Sequence, residues 1–365
     1  MTTIREIFHE HAPQYLARFS DRMPAAHKKV IKDMVACKTA QSGLAVFGCT
    51  GCGKTHIVFR SCGNRHCSAC QHQKSKHWLN RQLERQMPGH HFMITFTVPQ
   101  QLRPVFRTLQ QKAYSAFFEA SSQTLKKIAA DPRFVGGDLP GFFGVLHTWG
   151  RQLQYHPHIH YVVVGGALSK SDGRWHSSGI EYFAPVKAMS VIFRAKLKDA
   201  FYQMGLCSAV DPAVWKLSFN VNCQAVGSAE NSIRYLAPYV FKVAISDSRI
   251  VACEGGKVTI RYKKKDSRRW RKTTFDVMEF IRRFLQHVLP SGFMKVRYYG
   301  FLSHSSSVDL NRCKALIELS YGFFSEPVET PSAPDKFVPY CSICGAVLEL
   351  KTLIFAFKMN RSDYG

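Results

Sequence analysis

Alternation of apolar and polar positions dominates the middle of the chain. In HHFMITFTVP, Phe92, Ile94, Phe96 and Val98 alternate with Met93, Thr95 and Thr97, the period of a half-buried strand. Two further runs, Phe142–Trp149 and His158–Val164, read as strands, and the short connection Gly150–Pro157 favours an antiparallel hairpin. Helical periodicity covers about 102–128, about 186–204 and a stretch from about 232, with another strand over 216–226. The order β-α-β-β-α-β-α predicts an α+β fold, an antiparallel-centred sheet with helices on one face.

Turn signals divide the rest of the 365 residues, a length that suits two or three domains. Met87-Pro88-Gly89 closes a basic helix-like stretch over 73–86 and sets a first, cysteine-bearing domain at 1–88. The sheet domain is expected over 89–246 and a basic region over 247–324. A tail, 325–365, has no assignment, and its Pro- and Ser-rich part over 325–337 reads as a linker.

Fifty Lys and Arg against 25 Asp and Glu leave a formal charge of +25, which repels itself unless it meets a polyanion. Nucleic acid is the leading partner. A mean hydropathy of −0.16 and a longest apolar run near 161–168 argue against a membrane span. The amino-terminal MTTIREIFHEHAPQ lacks the apolar centre of a signal peptide, so a reducing, cytoplasmic setting is expected.

In that setting twelve cysteines point to metal rather than to six disulfides, and five of them fall between Cys49 and Cys70. Cys49-x2-Cys52 and Cys67-x2-Cys70, 14 residues apart, predict one tetrahedral Zn²⁺ site, with Cys62 and His66 as substitutes within the same stretch. Cys341-x2-Cys344 looks like half a site without a partner. Cys37, Cys207, Cys223, Cys253 and Cys313 read as ordinary buried thiols. Gly48, four residues and Gly53-Lys54-Thr55 also spell a phosphate-binding loop, but HIVF after Thr55 is a β-branched run where that loop needs a helix.

His158 and His160 are two apart on a strand, so both imidazoles share a face while Ile159 points into the core. His147, on the neighbouring strand, supplies a third nitrogen, and His156 faces the same way where Pro157 allows it. Such a platform keeps coordination positions open, as a Mg²⁺ or Mn²⁺ ion that polarises a phosphate requires. In SIRYLAPYVFKVAIS, Tyr235 and Tyr239 stand four apart on one helical face, with Pro238 kinking the helix between them. Two such aromatics are also what an ordinary packed helix carries; beside a divalent cation, a phenol becomes a nucleophile toward phosphate.

SCGNRHCSACQ, HPHIHYVVVGG and YLAPYVFKVAIS, in this order, resemble the two-tyrosine HUH rolling-circle transposases of bacterial insertion sequences, of the insertion sequence ninety-one type. The resemblance covers roughly residues 20–305 and extends to FDVMEFIRRFLQHVLPSGFMKVRYYGFLS. It implies an endonuclease that nicks single-stranded DNA at element ends, keeps a 5′-phosphotyrosine and passes the strand to target DNA. His158 and His160 would then be metal ligands, Tyr235 and Tyr239 the nucleophiles, and the cysteine pairs part of an amino-terminal zinc domain.

From Arg261 to Lys272, eight of twelve residues are basic. Lys263, Lys264, Lys265, Arg268, Arg269, Arg271 and Lys272 suit DNA phosphates, and Trp270 suits an unpaired base. A solvated turn has the same composition. Without a credible motor in the sequence, strand separation falls to a host helicase. The competing readings are a plasmid relaxase or replication initiator of the same chemistry, and a non-catalytic, zinc-dependent DNA-binding regulator.

Overall fold

The computed structural model describes residues 2–241, 244–264, 267, 269–323 and 338–355. In chain order its elements are α1 (Ile4–Phe19), α2 (Ala25–Ala36), β1 (Leu44–Cys49), β2 (Thr55–Phe59), α3 (His72–Glu84), β3 (His91–Thr97), α4 (Arg103–Thr108), α5 (Gln110–Ala130), β4 (Leu139–Trp149), β5 (Tyr155–Leu168) and β6 (Trp175–Ser177). There follow α6 (Val186–Gln203), β7 (Asn220–Gly227), α7 (Glu230–Phe241), β8 (Ile250–Glu254), β9 (Lys257–Lys263), β10 (Trp270–Asp276), α8 (Val277–Leu285), β11 (Val296–Gly300), α9 (Leu310–Tyr321) and β12 (Leu348–Ile354). Where composition suggests consecutive blocks ending at 88, 246 and 324, the chain folds as two units that are each discontinuous. One combines 1–77, 241–288 and 331–365; the other combines 78–240 and 289–330.

In the second unit, an antiparallel sheet of order β11-β4-β5-β3-β7, with β6 on the end of β5, forms the scaffold. Phe92, Ile94 and Phe96 of β3 join Ile159, Tyr161 and Val163 of β5 in one core with Phe117 of α5 and Phe193 of α6. The rings of Phe96 and Phe193 meet at 4.9 Å, and burying each such side chain is worth about 1.5–3 kcal/mol. The α+β class and the antiparallel sheet are as expected, but the helices are not confined to one face; the opposite face is covered too. Trp78 of α3 packs edge-on against Phe143 and donates its indole N–H to Tyr298 Oη at 3.0 Å, and α7 lies there as well.

Two elements differ from their sequence reading. The helix expected over 102–128 breaks at Leu109, whose backbone (φ −112°, ψ 46°) is not helical. The strand expected from 216 starts at Asn220, because Asp211 caps a short 3₁₀ turn over Pro212–Lys216 by accepting from Ala213 N–H.

The first unit is built from smaller pieces. A capping box closes the start of α1, with Thr3 Oγ1 accepting from Glu6 N–H and Glu6 returning the bond to Thr3 N–H. Phe8 of α1 meets Phe284 of α8 at 5.0 Å, β8, β9 and β10 form an antiparallel meander, and β1 is the centre of a sheet ordered β12-β1-β2.

Candidate active site

Register brings three histidines to one spot on the sheet. His147 of β4 stands directly opposite His158 of β5, and His160 of β5 opposite Thr95 of β3. One ligand atom from each of the three histidines lies within 4.8 Å of the others. His158 Nδ1 donates to the His156 carbonyl at 2.7 Å, and His160 Nδ1 is 2.8 Å from Thr95 Oγ1, so each ring keeps its Nε2 for another partner. His147 Nε2 is buried with no hydrogen-bond partner among the described residues. His156 is differently engaged: its Nδ1 takes a 2.8 Å bond from Arg103.

Burial, and after it the neighbouring imidazoles, hold His147 and His158 well below the usual histidine range; burial pushes His160 down to about 4. All three rings are therefore neutral near pH 7, the state that binds metal. An unpaired buried nitrogen costs about 1–3 kcal/mol, and a cation at this point would relieve it. The donor set fits a divalent ion with open coordination positions.

Helix α7 carries the two tyrosines over the same spot. The Tyr239 ring lies 5.5 Å from His147 and 5.8 Å from Trp149; the Tyr235 ring lies 6.2 Å from His160 and 5.8 Å from Tyr239. Lys295 Nζ donates to the Tyr239 carbonyl and sits 4.6 Å from the Trp149 ring, which ties the helix end to the sheet. Tyr235 is 52% exposed. Partial burial, then Tyr239, raise its phenol above the ordinary value, with Arg151 opposing, so it is protonated at neutral pH.

The cysteines depart from the sequence reading. Cys49, Cys52, Cys67 and Cys70 do not form one site; they divide between two clusters in the first unit. Cys67 and Cys70 join Cys62 and Cys37, with sulfur separations of 3.3 Å (Cys37–Cys70), 3.5 Å (Cys62–Cys70) and 3.7 Å (Cys37–Cys67). Cys37, read as an ordinary thiol, is thus a cluster member, while His66 stays outside and bonds to Asn64. Cys49 and Cys52 meet Cys341 and Cys344 instead. The physical reason is the sheet: β12 pairs along β1 and delivers the distant pair to the tip of the β1–β2 hairpin, a partnership that local spacing cannot reveal.

Tetrahedral zinc with Zn–S bonds of about 2.3 Å separates its sulfurs by about 3.8 Å, close to these distances. The Cys37 thiol is held down to about 7, first by Cys62 and then by Cys67, while Cys67 is pushed up by Cys37, Cys62 and Cys70. Sulfurs this close cannot all ionise without a cation among them. The phosphate-loop letters sit in the same hairpin: Thr55 opens strand β2, where a phosphate-binding loop leads into a helix.

Comparison with known proteins matches residues 7–98 to the family model "Transposase zinc-binding domain" and residues 141–309 to "Putative transposase". "Putative transposase y4qJ" of Sinorhizobium fredii is 33% identical over 362 residues, covering 92% of this chain and 89% of the relative. The chain belongs to the IS91-type transposases. "Transposase for insertion sequence element IS801" of Pseudomonas savastanoi pv. phaseolicola is 25% identical over 299 residues, covering 76% of the chain and 70% of the relative. No solved structure matches. The protein is a transposase, an enzyme that acts on DNA, with a zinc-binding domain towards its amino end. No described helix is long and apolar enough to cross a membrane.

The matched segments hold the three histidines, both tyrosines and Thr95; Cys341 and Cys344 lie outside both. In this transposase the basic stretch forms the β9–β10 hairpin, where Trp270 pairs with Lys263 and Lys272 with Arg261. Trp270 is 51% exposed, with the Arg261 guanidinium 4.8 Å and the Lys263 ammonium 5.0 Å from its ring. Lys264 and Arg269 lie in the turn and Arg271 on β10; Lys265 and Arg268 fall outside the described residues.

Proposed function

We infer that this transposase nicks single-stranded DNA at the ends of an insertion sequence and transfers the cut strand through a 5′-phosphotyrosine, in rolling-circle fashion. The observation that carries this reading is the placement of Tyr235 and Tyr239, on one helix, over three neutral histidines, of which His147 is buried. The phenol oxygen attacks the scissile phosphorus, the P–O3′ bond breaks, and the departing oxygen takes a proton to become a free 3′-hydroxyl. Attack by a DNA 3′-hydroxyl on the phosphotyrosine reverses the step and joins the strand elsewhere. One phosphoester replaces another, so no nucleotide triphosphate is consumed. Mg²⁺ or Mn²⁺ held by His147, His158 and His160 would neutralise charge on the phosphate and favour the phenolate. Lys295 holds the Tyr239 backbone in place, and Arg151 offers positive charge beside Tyr235.

Two tyrosines allow one to hold the first cut strand while the other makes the second cut. Cys37, Cys62, Cys67 and Cys70 would hold a structural Zn²⁺, and the β9–β10 hairpin would meet the DNA backbone. A host helicase would expose the single strand, on bacterial DNA in the cytoplasm.

The test is labelled single-stranded DNA from the element ends, incubated with Mn²⁺ or Mg²⁺ and run on a denaturing gel. A slow protein–DNA band is expected for the wild type, lost in the Tyr235→Phe/Tyr239→Phe double variant and in His158→Ala, with the single variants ranking the nucleophiles. Zinc-loaded protein that binds the DNA yet forms no such band with either ion would instead support the regulator reading.

A further inference from the structure

We propose that Cys49, Cys52, Cys341 and Cys344 form a second zinc site, built half from the β1–β2 hairpin and half from a segment nearly 300 residues away in the chain. Its four sulfurs lie within 4.8 Å of one another, with Cys49–Cys344 at 3.4 Å and Cys52–Cys341 at 3.8 Å. Each pair sits in a tight turn whose backbone N–H groups aim at sulfur. Gly51 N–H and Cys52 N–H point at Cys49 Sγ, both at 3.4 Å, and Ile343 N–H points at Cys341 Sγ at 3.4 Å. Such bonds stabilise thiolates rather than thiols. His56 Nε2 lies 3.2 Å from Cys341 Sγ and provides a further partner around the cluster.

The surrounding backbone closes the site from both halves. Thr50 N–H donates to the Val347 carbonyl at 3.1 Å, and Cys341 N–H to the Ala346 carbonyl at 2.7 Å. β12 then runs antiparallel to β1 from Cys49–Leu348 to Leu44–Ile354. Cys49 and Cys341 are buried with Leu348 in a small cluster of their own, while Cys52 and Cys344 are exposed at its rim.

Apolar packing at this tip is slight, and a two-stranded hairpin is marginal alone. A closed set of four thiolates is the chemistry of a structural zinc ion, and here it would clasp the third strand to the hairpin. The site goes beyond the transposition chemistry and does not depend on it, since none of its residues belongs to the histidine–tyrosine site. Neither matched segment contains both of its halves: Cys49 and Cys52 fall within 7–98, Cys341 and Cys344 beyond 309.

Zinc counting on the full chain tests this, in a His158→Ala/His160→Ala background that removes the histidine cluster as a competing site. After exhaustive dialysis, two zinc ions per chain are expected by elemental analysis. Cys341→Ser/Cys344→Ser should drop the count to one, Cys49→Ser/Cys52→Ser likewise, and all four together should still leave one, because the pairs share an ion. Two ions retained after loss of the tail pair, or one ion in the parent protein, would overturn the proposal, as would iron in place of zinc. The unmutated protein gives a second reading free of folding effects. Cys341 and Cys344 should resist alkylation together with Cys49 and Cys52 until a strong chelator is added; free alkylation of the tail pair alone would overturn the shared site.

Discussion

One hydroxyl on β3 decides which nitrogen of His160 is free. Thr95 Oγ1 lies 2.8 Å from Nδ1; when it accepts that N–H, the imidazole tautomer is fixed with Nε2 unprotonated. Thr95→Val keeps the shape and removes the acceptor. Mn²⁺ affinity at the cluster should fall roughly 10–100-fold, with tyrosine adduct restored by excess Mn²⁺. Isothermal titration of Thr95→Val and Thr95→Ser checks it: serine should bind as threonine does, and unchanged affinity in the valine variant would remove Thr95 from the site. That His158 and His160 share a face was legible from strand period alone, and the short hairpin was enough to bring His147 near. Thr95 gave no signal of its own, since its role depends on β3 lying beside β5. Cys37 gave none either: it stands alone in sequence, 25 residues before Cys62, and only the folded first unit shows it among the cluster sulfurs.

At the scale of elements, strands with strict alternation or long apolar runs were readable, and those defined by distant partners were not. β3 announces itself by Phe92, Ile94 and Phe96; β11, VRYYG, has no clean alternation and becomes a strand by pairing with β4. Its last residue, Gly300, has φ +60°, and a Cβ there would fall 1.4 Å from the Pro140 carbonyl oxygen, a fixed backbone atom. Gly300→Ala must therefore lift β11 from the edge of β4. The strand also follows Lys295, whose carbonyl accepts from Leu146 N–H and whose ammonium holds the Tyr239 carbonyl. A loss of at least about 2 kcal/mol is expected, from the strained conformation and the overlap together. Urea unfolding of the second unit's aromatic signal measures it, and a midpoint equal to wild type would mean that the edge relaxes without cost.

For the whole molecule, charge was legible before any fold, but the way the chain is shared between units was not. Each unit takes up segments far apart in sequence, so composition boundaries mark neither one. The charge of +25 predicts salt-sensitive binding, and the β9–β10 hairpin concentrates part of it around an exposed indole. Neutralising phosphates releases counterions, with a slope of roughly −0.7 per contact in log affinity against log salt for a single strand. Replacing Lys263, Lys264, Arg271 and Lys272 by glutamine should reduce the magnitude of that slope by about 3, if all four meet phosphate. Trp270→Ala should act differently: a stacked base lost costs about 1–3 kcal/mol at every salt concentration and leaves the slope alone. Fluorescence anisotropy of labelled single-stranded DNA over a salt series separates the two. A basic turn that merely faces solvent gives one result for both variants, an unchanged slope and unchanged affinity, whereas a backbone-tracking hairpin must separate the charge variant from the indole variant along different axes of the same plot.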